Sequence, residues 1–161
     1  MLMGVSGSGK TSVGKSLAQK FKFEFLEGDD YHPSSNLKKM SRGVPLTESD
    51  RSPWLIALRQ TLDSKIGKGN SIVVSCSALT RESRKKLGVE RDVIRLIHLH
   101  APESILKKRI SQRNDHFMPE SLLESQFDAL EEPEPEEAFE VDVSFSLSQV
   151  VNNIADFIKV N

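Results

Sequence analysis

The feature that most constrains this chain is a glycine-rich segment near its start. Gly4-Val5-Ser6-Gly7-Ser8-Gly9-Lys10-Thr11 matches the pattern G-x-x-x-x-G-K-[ST] in full. Its glycines let backbone N–H groups turn inward around an anion, and the helix expected to start near Lys10 adds the partial positive charge of its N-terminus. The segment therefore predicts a loop that binds a nucleoside triphosphate, with Lys10 reaching the β- and γ-phosphates and the Thr11 hydroxyl ligating Mg²⁺.

The pattern of apolar residues around this loop predicts the fold class. Apolar runs predict strands at 23–26, 71–75, 93–97 and 139–143, and residues 1–3 supply a very short first strand. Apolar residues recur at helical spacing within 13–21, 55–66, 122–130 and 147–158. Strands that alternate with helices predict an α/β fold with a parallel sheet covered by helices on both faces.

Length and charge exclude several other classes of protein. The 161 residues suit one domain over 1–161, and 22 basic against 23 acidic residues leave no global attraction to nucleic acid or to an anionic membrane. No apolar run approaches the roughly 20 residues of a membrane helix. One cysteine excludes an internal disulfide, and the start of the chain carries no export signal. We therefore expect a cytoplasmic protein.

An acidic segment, 131–137, contains five glutamates and two prolines in seven residues. Such a run is expected to form a solvated surface loop, the alternative being an acidic interaction site.

The loop after the second strand carries the residues expected to handle an acceptor. If the bound nucleotide donates its γ-phosphoryl group to a hydroxyl, a carboxylate is needed to orient that hydroxyl and take its proton, and Asp29 is preferred over the adjacent Asp30 for this role. The alternative for both is a turn or capping role. Further on, Arg51 is a candidate to clamp a substrate carboxylate, the alternative being an ion pair with Asp50 or Glu48.

Missing motifs narrow the class of nucleotide-binding protein. The strings N-K-x-D and D-x-x-G, expected of a GTPase, do not occur, and the strand at 71–75 ends without the acidic residue by which a motor ATPase holds Mg²⁺. Metal binding is therefore expected to rest on Thr11, phosphate oxygens and water. A small-molecule kinase remains.

A set of further motifs resembles the gluconokinases of the small P-loop type. The matching segments are Met3 to Thr11, Gly28-Asp29 with His32-Pro33, Pro45-Leu46 with Asp50-Arg51, Pro53-Trp54-Leu55, Cys76-Ser77-Ala78-Leu79, His116-Phe117, and Gln126-Phe127 with Leu130-Glu131. They occur in order from about residue 2 to residue 133. The combination is far more specific than the phosphate-binding loop alone.

The resemblance implies ATP-dependent, Mg²⁺-dependent phosphorylation of D-gluconate at its 6-hydroxyl. It implies a shikimate-kinase-like fold with sheet order 2-3-1-4-5, and a homodimer by analogy. Substrate contacts are implied for Asp29, His32, Arg51 and Lys38, and for the Cys76-Ser77-Ala78 turn, in which Cys76 is structural. A related sugar-acid or shikimate kinase and a non-catalytic nucleotide-binding module are the alternatives.

A basic stretch late in the chain is expected to form a mobile lid over about 109–120. Such a stretch is most commonly a helix face exposed to solvent. Its place after the fourth strand, however, matches the mobile lid of such kinases. Arg109 is expected to contact ATP, and Arg113 is favoured for contact with the transferring phosphoryl group.

Overall fold

The computed structural model describes residues 1–90, 92–112 and 121–160. Its strands are β1 (Leu2–Met3), β2 (Glu24–Glu27), β3 (Ile72–Ser75), β4 (Leu96–His100) and β5 (Ala138–Asp142). Its helices are α1 (Lys10–Phe21), α2 (Ser34–Ser41), α3 (Glu48–Gly67), α4 (Arg81–Leu87), α5 (Glu103–Ser111), α6 (Ser121–Ala129) and α7 (Leu147–Val160), and a short 3-10 helix covers Gly28–Tyr31.

The five strands form one parallel sheet in the order β2-β3-β1-β4-β5. Leu2 pairs with both Ser75 and Ile97, so the two-residue strand β1 is the centre of the sheet. The α/β fold, the strand order and the very short first strand are thus confirmed. Because all strands are parallel, the segments that follow β1, β2 and β3 lie at one edge of the sheet, where ligands of such folds bind.

Alternating side chains of the strands build a core on each face of the sheet. Met3, Val74 and Leu96 face α3 and α4, where they join a cluster with the buried side chains of that layer. Leu2, Val73, Ile97 and Leu99 face α1 and α7. Burial on both faces explains why these short strands read as continuous apolar runs.

The fourth strand lies three residues later than the apolar run predicts. The prediction was 93–97, whereas β4 is Leu96–His100, and the Val93 side chain is 58% exposed. The second half of the strand contains a buried polar residue, His98, whose Nδ1 lies 2.9 Å from Oε1 of Glu140 on β5. Glu140 on the neighbouring strand therefore provides the hydrogen-bond partner that the buried imidazole of His98 requires. The polar His98 had interrupted the apolar run from which the strand was predicted.

The acidic segment is a loop, but three of its glutamates bind α4 instead of only facing solvent. Arg84 is 1% exposed, and its guanidinium donates to the Glu137 carboxylate at 2.6 Å and to the carbonyl of Glu131 at 2.9 Å. On the surface, Arg81 pairs with Glu134. The predicted surface loop is thus confirmed, and it also supplies some of the acceptors that the buried guanidinium requires, the others being the carbonyl oxygens of Ala78 and Leu79.

Candidate active site

The phosphate-binding loop joins β1 to the N-terminus of α1, as the motif predicts. Gly4 has φ of 137°, and a Cβ there would lie 2.4 Å from the carbonyl oxygen of Leu99, so only glycine fits. The hydroxyl of Ser8 is buried and, within the described part of the chain, has no hydrogen-bond partner. A buried, unsatisfied hydroxyl inside this loop fits the oxygen-rich phosphate group that the motif implies.

Lys10 occupies the first turn of α1 and folds back over the loop. Its ammonium donates to the carbonyl oxygens of Gly4 at 2.8 Å and Val5 at 3.0 Å. Both acceptors belong to the loop itself, so the ammonium already lies where phosphates are expected. Its flexible stem and rotatable donors allow it to exchange these carbonyls for phosphate oxygens.

A carboxylate that sequence reasoning missed lies beside the expected metal ligand. The Thr11 hydroxyl donates to Oε2 of Glu27 at 2.7 Å, and the Ser75 hydroxyl donates to the other oxygen of the same carboxylate. Glu27 ends β2 and Ser75 ends β3, so adjacent parallel strands bring them together. Hydroxyl and carboxylate oxygens are the donor set that Mg²⁺ prefers. The third strand ends without an acidic residue, as the sequence indicates, but the expectation that Thr11 is the one protein ligand of the metal omitted this carboxylate at the end of the second strand.

One cavity connects this phosphate end to the expected acceptor residues. It has a volume of about 870 Å³ with its open mouth included, and Lys10, Thr11, Asp29, His32 and Arg51 all line it. The remaining lining residues are Ser6, Gly7, Gly9, Glu27, Met40, Pro45, Leu46, Trp54, Ser77, Leu79, Leu122, Ser125 and Gln126. The exposed neighbour Asp30 does not line it. The geometry thus favours Asp29 over Asp30.

Gly28 explains why Asp29 can reach this cavity. A Cβ at Gly28 would lie 2.2 Å from the carbonyl oxygen of Ser75, so the end of β2 passes β3 too closely for any side chain. The 3-10 helix begins at Gly28, and Asp29 within it lines the same cavity as Lys10 of the phosphate-binding segment.

Arg51 lines the cavity but is already paired with a carboxylate. A capping box between Thr47 and Asp50 starts α3, which places Glu48 and Arg51 one turn apart on the same face. Arg51 Nη1 donates to Glu48 Oε1 at 2.7 Å, while Oε2 of the same carboxylate lies 3.8 Å from the ammonium of Lys86. Of the two ion pairs that the sequence left open, the one with Glu48 is present.

His32 and Trp54 form a stacked pair in the wall of the cavity. Their ring centroids are 3.8 Å apart, and Trp54 Nε1 donates to the carbonyl oxygen of Gly28 at 2.6 Å. Burial lowers the pKa of His32 to about 4, so the imidazole is neutral at physiological pH. Trp54 is a buried core residue, as expected, and its ring also supports the imidazole of His32 by stacking against it.

The turn after β3 contributes less to the cavity than the resemblance implies. Ser77 lines the cavity, whereas Cys76 and Ala78 are each 1% exposed and do not. Burial raises the pKa of the Cys76 thiol to about 12, which agrees with a structural role.

Lys38 does not join the other expected substrate residues. It lies on the exposed side of α2, outside the cavity, so the expected substrate contact is not supported by this arrangement. Its neighbour Lys39 donates to both carboxylate oxygens of Asp50, at 2.7 and 2.8 Å. These hydrogen bonds lower the pKa of Asp50 to about 2.

A second cavity lies on the other side of the phosphate-binding loop. Arg109 of α5 lines it together with Gly7, Gly9 and Phe145, and its guanidinium donates to the carbonyl oxygen of Val143 at 2.5 Å. Arg109 therefore lies beside the loop, where the sequence places an ATP contact. Arg113 and most of the expected lid lie outside the described residues.

Comparison with known proteins identifies the family. A family model described as an AAA domain matches residues 1–133. A probable gluconokinase of Xenopus tropicalis is 40% identical over 171 residues, with 96% of this chain and 90% of that protein covered. The gluconokinase of Gluconobacter oxydans is 42% identical, with 85% and 77% covered. A crystal structure of a gluconokinase from Sinorhizobium meliloti superposes with a TM-score of 0.84 at 42% identity, covering 99% and 94%.

The chain belongs to the gluconokinase family. This confirms the resemblance drawn from the motifs. One of those motifs contains Gln126, which lies on α6. In this gluconokinase-family chain, Gln126 also lines the main cavity, and its Oε1 accepts from the backbone N–H of Ser6 at 2.6 Å. Sequence reasoning used Gln126 only as part of a motif. Its position 120 residues from Ser6 in the chain left no local signal of a contact with the phosphate-binding loop.

Over residues 1–90, 92–112 and 121–160, no helix is long and apolar enough to cross a membrane. In the same ranges, no group of three His, Cys, Asp or Glu side chains could hold a metal ion.

Proposed function

We propose that this chain transfers the γ-phosphoryl group of ATP to the 6-hydroxyl of D-gluconate, giving 6-phospho-D-gluconate and ADP. The observation that carries the proposal is the single cavity that Lys10 and Thr11 line together with Asp29, His32 and Arg51. A phosphoryl donor and a carboxylate-bearing polyol could therefore meet in one cavity. The gluconokinase relatives support the choice of substrate.

At the donor end, the residues of the loop bind and orient the triphosphate. Lys10 moves from the carbonyl oxygens of Gly4 and Val5 to the phosphate oxygens, where its charge offsets the charge that develops during transfer. Thr11 and Glu27 would hold Mg²⁺, which would supply positive charge that offsets the charge of the phosphates. Arg109 borders the nucleotide from the side of α5.

At the acceptor end, Asp29 orients the hydroxyl of the substrate and accepts its proton. A carboxylate at the end of β2 and a phosphate-binding loop at the end of β1 face one cavity, which suits in-line attack on the γ-phosphorus. Arg51 provides a planar pair of donors for the substrate carboxylate. The substrate carboxylate then replaces the carboxylate of Glu48 as the partner of Arg51.

The test is release of ADP from Mg-ATP across a panel of acceptors. The panel contains D-gluconate, shikimate, glucose, glycerate and a sample without acceptor. Turnover on gluconate alone is expected. Strong turnover on another acid would replace the substrate while keeping the kinase, and binding of ATP without turnover on any acceptor would replace the kinase with a binding module. The homodimer and the cytoplasmic location stay predictions, which light scattering and fractionation would test.

A further inference from the structure

A buried amide, that of Asn36, lies behind the wall of the main cavity and has no role in the proposed function. Asn36 is 2% exposed and belongs to the first turn of α2. Asparagine is rarely buried, and a buried amide requires partners for its donors and its acceptor. The partners of Asn36 therefore indicate what the amide does.

The first partner determines the orientation of the amide. Asn36 Nδ2 donates to the backbone carbonyl oxygen of Asp50 at 2.8 Å. A carbonyl oxygen can only accept, so the NH₂ end of the amide, and not its oxygen, must face this neighbour. This contact therefore assigns the nitrogen and the oxygen of the Asn36 amide to their positions.

The second partner is the imidazole in the cavity wall. The same NH₂ group lies 3.3 Å from Nδ1 of His32. Because an amide nitrogen can only donate, Nδ1 must accept with its lone pair. A neutral imidazole carries one ring proton, which this contact assigns to Nε2.

The surroundings of His32 hold the ring in this state. Stacking on Trp54, which is itself anchored to Gly28, restricts rotation of the imidazole. Burial lowers the pKa of His32 to about 4, so the neutral form persists at physiological pH. In the part of the chain that the structure describes, Nε2 makes no hydrogen bond, although His32 lines the cavity beside Asp29 and Arg51.

We propose that Asn36 is a positioning residue that holds His32 in the Nε2–H tautomer, so that His32 donates a hydrogen bond to a hydroxyl oxygen of the acceptor. This inference rests on the proposed function, because it takes a polyol as the occupant of the cavity. A site built to donate to an oxygen discriminates against an analogue that lacks it, since the buried donor then stays unpaired.

The tautomer can be measured without any substrate. Long-range proton–nitrogen NMR correlation on the full chain, with ¹⁵N-labelled histidine, distinguishes Nε2–H from Nδ1–H, and His32→Gln identifies the signals of His32. The wild type is expected to be Nε2–H. In Asn36→Asp the carboxylate accepts from Nδ1, so the tautomer reverses. Asn36→Leu, which has a similar shape without a donor, gives a mixture and replaces Asn36→Asp if that variant does not fold. An Nδ1–H wild type, or no change in either variant, overturns the proposal.

Kinetics then tests the effect on the substrate. Asn36→Asp is expected to raise the KM for gluconate about five- to tenfold, as loss of one hydrogen bond would, with kcat within about twofold. The exposed Asn152 provides the matched control, since Asn152→Asp on α7 should change neither constant. An unchanged KM in a variant with the reversed tautomer overturns the proposed donation.

A double-mutant comparison separates an effect of Asn36 on His32 from a general loss of structure. In His32→Gln the side-chain amide places a donor near the position of Nε2 and does not depend on Asn36. Asn36→Asp should therefore raise KM much less in the His32→Gln background than in the wild type. An equal rise in both backgrounds would assign Asn36 a merely structural role. If the wild type does not turn over gluconate, the proposed function fails, and the NMR result still decides the tautomer.

Discussion

The guanidinium of Arg51 and the carboxylate of Glu48 form an ion pair across one turn of α3, with Nη1 2.7 Å from Oε1. Arg51 is the residue proposed to bind the substrate carboxylate, so Glu48 competes for the same donors.

The partly exposed pair between Glu48 and Arg51 contributes on the order of 0.2–1 kcal/mol. Glu48→Gln is expected to lower the KM for gluconate by up to about fivefold with kcat unchanged. Steady-state kinetics checks this, with Asp63→Asn, which alters the Arg59 pair on the same helix, as the control. A raised KM would assign Glu48 to orienting Arg51.

Asp29 and Asp30 are chemically identical neighbours that differ in whether they line the main cavity. Asp29→Asn keeps the shape of the side chain but cannot accept the proton of the acceptor hydroxyl. We expect kcat to fall about 10²- to 10⁴-fold with gluconate affinity largely kept, and Asp30→Asn to be near wild type. Single-turnover rates and calorimetric binding measure the two effects separately. Equal losses in both variants would contradict the assignment of Asp29 as the base.

Glu27 is proposed to hold Mg²⁺ together with Thr11. Glu27→Gln removes the negative charge while keeping an oxygen, so the Mg²⁺ concentration for half-maximal activity should rise about tenfold or more. Glu24, at the other end of β2, is paired with Lys65 and provides the control Glu24→Gln. A titration of activity against Mg²⁺ at fixed ATP measures the change. The same midpoint in both variants would remove Glu27 from the metal site.

The ion pair between the buried guanidinium of Arg84 and the partly exposed Glu137, and the exposed pair between Arg81 and Glu134, join the same helix to the same loop. Arg84→Ala leaves buried carbonyl oxygens without their donor, and should lower the free energy of unfolding by about 1–3 kcal/mol. Arg81→Ala should cost about 0–1 kcal/mol. Urea denaturation distinguishes the two. Similar values would show that burial of the guanidinium does not determine its contribution.

The lowered pKa of His32 predicts a dependence of stability on pH. Its pKa is about 4 in the folded chain, against an ordinary value of 6.5, because burial disfavours the charged imidazole. Between these values the unfolded chain binds more protons than the folded chain. The free energy of unfolding should therefore fall as pH falls from about 6.5 to about 4. Urea denaturation at several pH values should show a shallower decline for His32→Gln, and identical slopes would contradict the prediction.

The helices α2 and α4 could not be predicted from the sequence, because their apolar residues do not recur at helical spacing. The buried residues of α2 include Asn36, and those of α4 include Ser83 and Arg84. Ser83 pairs with the nearby Thr80, but Asn36 and Arg84 take partners farther along the chain, the backbone of Asp50 and the carboxylate of Glu137. A pattern of apolar spacing carries no information about such partners. The late start of β4, whose polar His98 pairs with Glu140, has the same cause.

The sequence by itself determined the phosphate-binding loop, the α/β fold and the family, because these depend on local spacing and on motifs that occur in order. It also named Asp29, His32 and Arg51 as candidates. Only the tertiary structure decided which groups meet: Glu27 with Thr11, Glu48 with Arg51, and Asn36 with His32. Strand order decides the first of these contacts, because β2 and β3 pair in parallel and bring Glu27 beside the phosphate-binding loop. The other two pairs lie three and four residues apart, so spacing allows them without deciding them. Spacing offered Asp50 as well as Glu48 to Arg51, and the structure shows Asp50 bound by Lys39 instead.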